Sequence, residues 1–121
     1  MDEKLYNLDS LRKLLNDDTE EVEEMIQMFT EIAPSTLSEM QEAYEEENFE
    51  ELGKLAHKLK GNLRLLNIHS LDETMLNLEK CSKEMRNLDK VNPLMQKLHA
   101  TLPKVIEQLR NNELEYKKKS G

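Results

Sequence analysis

Apolar side chains recur at i, i+3, i+4 and i+7 along nearly the whole of this chain, and only three glycines and three prolines interrupt them. That spacing fits one face of an α-helix and leaves no segment with the alternation of a half-buried strand. The 121 residues are enough for one domain around one sizeable core. With 4% aromatic residues, no Trp and seven Met, that core has to be aliphatic and methionine-rich.

Caps divide the periodic stretches. Leu8, Leu11, Leu14 and Leu15 make a short helix that ends at Asn16-Asp17. Asp18 and Glu21 stand at the N-cap and N3 positions of a capping box. The run they open, from position 22 to 44, keeps its phase through Pro34, so one long helix kinked at the proline is expected. Asn48 and Glu51 repeat the cap before a third helix with Leu52, Leu55, Ala56, Leu59, Leu63 and Leu66 inward. Asn67 suits the left-handed position that ends such a helix, with Ile68 folding back on Leu63. Ser70 and Glu73 predict a third capping box for a helix carrying Met75, Leu78, Met85 and Leu88 on one side. Asn92-Pro93 reads as cap and first residue of the last helix, kinked at Pro103. The expected fold class is all-α: an antiparallel up-down four-helix bundle with a short N-terminal capping helix, forming a single domain over residues 1–121 with a disordered basic tail at 116–121.

Charge is unevenly distributed. Residues 1–51 hold 17 acids and 3 bases, residues 52–121 hold 8 acids and 14 bases, and the total is −8. An acidic chain with five scattered aromatics lacks the phosphate-tracking stripe and stacking platform of a nucleic-acid binder. A lone Cys81 excludes a disulfide framework and fits a reducing compartment. No apolar run has the length of a membrane span and the acidic N-terminus is unlike a secretory signal, so a soluble, cytoplasmic, monomeric protein is expected.

Helical bundles often hold metals, and the di-iron kind needs Glu-x-x-His on two helices. The residues three before His57, His69 and His99 are Lys54, Leu66 and Gln96, so that motif is absent and no metal is expected. Glycine loops for phosphate and nucleophile elbows are missing as well, which argues against an enzyme with its own nucleotide site.

The third helix carries the remaining chemistry. Beside its apolar stripe, positions 53, 54, 57, 60, 61 and 64 share a face. His57 is bracketed there by Gly53 and Gly61 and surrounded by Lys54, Lys60 and Arg64, with Lys58 next to them. Each internal helix glycine costs about 1 kcal/mol relative to Ala, so two of them one turn either side of a histidine read as space kept for a docking partner. Cationic neighbours disfavour the imidazolium, leaving a lone pair for attack, and favour a phosphoryl group once attached. Met28 and Ile32 on the second helix and Leu65 on the third could add an apolar patch to that footprint. His69 and His99 read as surface or boundary residues, and the methionines at 25, 28, 75, 85 and 95 otherwise as core filling.

Ala56-His57-Lys58-Leu59-Lys60-Gly61, followed by Leu71 and Leu78-Glu79, resembles the signature of histidine-containing phosphotransfer (HPt) domains. The likeness extends over about residues 5 to 110, through Leu8 to Leu15, Met28-Phe29, Ala33-Pro34 and Asn48-Phe49-Glu50-Glu51-Leu52. It implies that His57 takes a phosphoryl group from an aspartyl phosphate on one receiver domain and passes it to the Asp of another, without ATP. It also implies that Lys60 stabilises the phosphate, that Gly61 permits close approach, and that the receiver supplies Mg²⁺, leaving this chain without a cofactor. The implied partners are receiver domains of a hybrid sensor histidine kinase and of a response regulator, with no nucleic acid and no membrane. Many members place a polar side chain of the next helix near the imidazole, and Asn77, Glu79 and Lys80 are the candidates. Asn62 and Leu63 stand where the family usually has small residues. The alternative is a phosphorylation-independent adaptor on the same fold, with His57 incidental; a DNA-binding regulator using the C-terminal bases is disfavoured by charge.

Overall fold

The computed structural model describes the backbone of residues 4–120 and the side chains of residues 4–111. Five α-helices account for most of it: α1 (Asp9–Leu14), α2 (Thr19–Glu45), α3 (Phe49–Leu65), α4 (Asp72–Glu84) and α5 (Val91–Ser120). Single 3-10 turns at His69–Leu71 and Leu88–Lys90 precede α4 and α5, and there is no strand among the described residues. The side chains of the tail expected to be disordered lie outside the described residues.

Local chemistry sets most of the boundaries. Asp18 and Asn48 accept hydrogen bonds from the backbone N–H groups of Glu21 and Glu51, each satisfying a donor that the first helical turn leaves free. At the end of α3, Asn67 is left-handed (φ 53°). Its N–H donates to the Arg64 carbonyl, and that of Ile68 to Leu63 at 3.0 Å. This is a Schellman motif, and both Ile68 and Leu63 are buried. The end of α2 is built the same way around a left-handed Glu47, so Asn48 closes one helix and caps the next.

One helix, α2, runs unbroken through Pro34, as the in-phase apolar stripe predicts. The missing N–H orphans the carbonyl of Thr30, four residues back, and the Arg110 guanidinium of α5 reaches that oxygen. Two other helix starts differ from expectation. No capping box forms at Ser70; burial of Ile68 and Leu71 draws the chain into a 3-10 turn and α4 begins at Asp72. The last helix begins at Val91, which puts Pro93 third rather than first, still among the positions whose N–H has no intrahelical acceptor. Met85, expected in the core, is the left-handed residue that ends α4 and is exposed.

Helices α2, α3, α4 and α5 form a closed ring in which α3 and α5 each pack against both α2 and α4. The core between them is aliphatic: Ile26, Met40, Leu52, Leu59, Leu63, Met75, Leu78, Met95 and Leu98 are fully buried, each contributing about 1.5–3 kcal/mol of transfer free energy. Tyr6, Leu8 and Leu11 close one end. There the Asn7 N–H donates to the Leu66 carbonyl and the Asn67 side chain donates to the Asn7 carbonyl, which ties the N-terminal segment to the end of α3. No helix among the described residues is long and apolar enough to cross a membrane.

Candidate functional site

The site is built where α3 meets α4. Gly53 and Ala56 on α3 and Ser82 on α4 are small and buried, which lets the two helices approach closely. A β-carbon placed on Gly53 would stand 3.3 Å from Cγ of Lys83 and 3.4 Å from Cβ of Ser82. Gly53 therefore seats α4 and is not part of an open docking face, a correction to the reading from helical spacing. Gly61 differs: a β-carbon there meets nothing within 4 Å, so that side of α3 is open beside His57.

One turn past Gly53, His57 projects from α3 with its side chain 64% exposed. Its Nδ1 lies 2.7 Å from Oε1 of Glu79, a carboxylate of α4 that is only 10% exposed. Lys83, one turn on along α4, donates to the same Oε1 at 2.8 Å, and Lys60 of α3 donates to Oε2. Glu79 thus accepts from a histidine and two lysines at once. The Lys60 hydrogen bond, then that of Lys83, and then His57, hold its carboxyl ionised against the opposing effect of burial, lowering its pKa from 4.5 to about 2. An ionised carboxylate can only accept. The proton of His57 therefore sits on Nδ1, and in the neutral ring the lone pair is on Nε2.

Two expectations change with this geometry. Lys60 is not on the exposed stripe; it is 14% exposed and committed to Glu79. Nor is the face around His57 purely basic, since α4 brings a carboxylate into it. Among the three polar candidates on α4, Glu79 makes the contact. Lys83 was not anticipated, although an acid four residues before a base on one helix is the order that favours an ion pair, and that spacing was available in the sequence.

The rest of the expected footprint divides by position. Lys54, Lys58 and Arg64 are exposed, with Lys54 3.6 Å from Glu50 one turn earlier. Met28 and Ile32 are exposed on α2, and with half-buried Leu65 and neighbouring Met25, Asn62 and Leu66 they line a shallow apolar groove beside Gly61. The other histidines have separate partners: His69 meets Asp72 at 3.0 Å and His99 meets Gln41 at 2.8 Å. No group of three or more His, Cys, Asp or Glu that could hold a metal occurs among the described residues.

Neither curated proteins nor solved structures give a match to this chain. The family model of the Hpt domain matches residues 24–112, well over half of the sequence, and its span contains α3, α4 and all four members of the His57–Glu79–Lys60–Lys83 cluster. The fold is all-helical as such domains are, and the chain belongs to the Hpt domain family.

Proposed function

We propose that His57 is the phosphoryl carrier of a two-component phosphorelay, loaded from the aspartyl phosphate of one receiver domain and unloaded onto the Asp of another. Hpt domains serve histidine phosphotransfer in such relays, work with receiver domains, and are carriers rather than kinases with an ATP site of their own. The observation that carries the assignment to His57 is its contact with Glu79, which keeps the proton on Nδ1 and leaves Nε2 as the nucleophile on an exposed side chain.

The transfer balances without a further reactant. The Nε2 lone pair attacks phosphorus, the N–P bond forms, and the P–O bond breaks with its electrons leaving on the receiver carboxylate. Nδ1 keeps its proton, so the phosphorylated ring carries positive charge, and Glu79 lies 2.7 Å away as its counter-charge. Mg²⁺ belongs to the receiver pocket in this reading, and the chain contributes no cofactor. Docking uses Gly61 for close approach, the Met28–Ile32–Leu65 groove for apolar contact, and Lys54, Lys58 and Arg64 for attraction to an acidic pocket. The cross-helix pairs His57–Glu79 and Gly53–Ser82, and on the other side Thr30–Arg110 and Gln41–His99, support an antiparallel up-and-down bundle.

Incubation with a ³²P-labelled receiver domain tests the reading. Label that is acid-labile and base-stable moves to the parent chain and does not move to His57→Gln. No transfer from any receiver of the same organism, or equal transfer to the variant, contradicts it.

A further inference from the structure

We propose that Lys83 is the cation that leaves Glu79 for the phosphoryl oxygens once Nε2 of His57 is phosphorylated, while Lys60 stays on Glu79. This rests on the carrier reading above and assigns a residue that the sequence motif does not contain. It also moves to Lys83 the phosphate-stabilising role that the resemblance gives to Lys60.

The division follows from how Glu79 is shared. Oε1 accepts from both His57 Nδ1 and Lys83, whereas Oε2 accepts from Lys60. If Lys60 moved, Oε2 would lose that donor in a site where the carboxylate is 10% exposed, and an unsatisfied buried charge is costly. If Lys83 moves, Oε1 keeps Nδ1 and Oε2 keeps Lys60. Phosphorylation also changes the competition for Oε1. The ring becomes positive and binds Oε1 more strongly, so the second donor there is needed less, while the new phosphoryl oxygens need one.

Exposure and reach point the same way. The Lys83 side chain is 56% exposed, on the solvent side with His57, and Lys60 is 14% exposed. Because both are hydrogen-bonded to one oxygen, Lys83 Nζ is within about 5.5 Å of His57 Nδ1, and rotamer changes of its four-carbon stem carry it along the ring toward the phosphoryl oxygens on Nε2. The lower part of that stem lies over Gly53, whose missing β-carbon leaves room for Lys83 Cγ one turn before His57. That gives Gly53 a local reason for its cost inside a helix: it is the bed on which the mobile lysine lies.

The test uses the full chain phosphorylated by phosphoramidate, so that no receiver surface intervenes; the donor P–N bond breaks, the Nε2–P bond forms and ammonia leaves. The ³¹P shift of the phosphohistidine is then titrated with pH. A cation on the phosphoryl oxygens favours their dianion, so in Lys83→Gln the midpoint should rise by about half a unit or more relative to the parent, and in Lys83→Arg it should stay near the parent value. Imidazole ¹⁵N shifts of the unphosphorylated Lys83→Gln should still report the Nδ1–H tautomer, because Lys60 and Glu79 remain. An unchanged midpoint in Lys83→Gln overturns the proposal, as does a rise confined to Lys60→Gln. Failure of the parent chain to become phosphorylated on His57 overturns the carrier reading instead, and this proposal with it.

Discussion

Glu79 decides what His57 can do. Spacing alone puts a histidine among lysines on one helix face, and from that pattern the cations were expected to be what leaves the imidazole neutral. The folded chain assigns the task differently: a carboxylate from the neighbouring helix fixes the proton on Nδ1, and the lysines keep that carboxylate charged. Removing the charge in Glu79→Gln should slow phosphoryl transfer about tenfold, since the positive ring of the product loses its counter-charge. The same variant has a pH signature. Glu79 titrates near 2 when folded against 4.5 as a free side chain, so its ionic contribution to stability is fully present above about pH 4.5 and is lost as pH falls toward 2. Denaturant unfolding of parent and Glu79→Gln should show a constant stability gap above pH 5 that narrows through that window. A gap that widens on acidification contradicts the assigned coupling.

Helix-level features were the most legible in the sequence, because caps are local. Asp18, Asn48 and Asn67 do what their positions predict, and the apolar stripes of α2, α3 and α5 bury most of the residues that periodicity selects, with Ile32 of α2 left exposed. Ser70 and Met85 show where that logic stops. Ser70 had a cap pattern that tertiary burial of Ile68 and Leu71 overrode, and Met85 continued a stripe past the point where α4 turns left-handed. Gly53 and Gly61 were indistinguishable by spacing, and only the position of α4 separates them. Substitution makes the difference measurable. Gly61→Ala faces open space and should gain up to about 1 kcal/mol of helix stability, while transfer from a receiver slows. Gly53→Ala must push the Lys83 stem and should gain less than Gly61→Ala in the same thermal melt. Equal gains at both positions would contradict the packing role of Gly53.

For the molecule as a whole, the net charge of −8 conceals a division between an acidic first half and a basic second half. In the helix ring, α2 of the acidic half packs against α5 of the basic half. The ion pairs are more local: Glu50 sits near Lys54 one turn on along α3, and Glu79 takes up Lys60 and Lys83 within the basic half. Lys58 and Arg64 remain exposed around the open side of Gly61, next to the Met28–Ile32 groove. Met28, Ile32 and Leu65 are legible in the sequence as an apolar set, and the rotation of α2 in the bundle is what turns Met28 and Ile32 outward instead of into the core. A double substitution, Met28→Glu with Ile32→Glu, should leave the melting temperature within about 2 °C. It should also lower receiver transfer about tenfold at subsaturating receiver while sparing phosphorylation by phosphoramidate. Equal loss with both donors would mean that the groove supports the site itself and does not serve docking.

The central claim is that the phosphoryl group resides on Nε2 of His57 because Glu79 holds Nδ1. The most direct measurement is ¹⁵N–³¹P correlation on the uniformly ¹⁵N-labelled phosphorylated chain. A single phosphorus coupled to Nε2 of His57, with Nδ1 still protonated, is the predicted result. Phosphorus on Nδ1 of His57, or on His69 or His99, would contradict it.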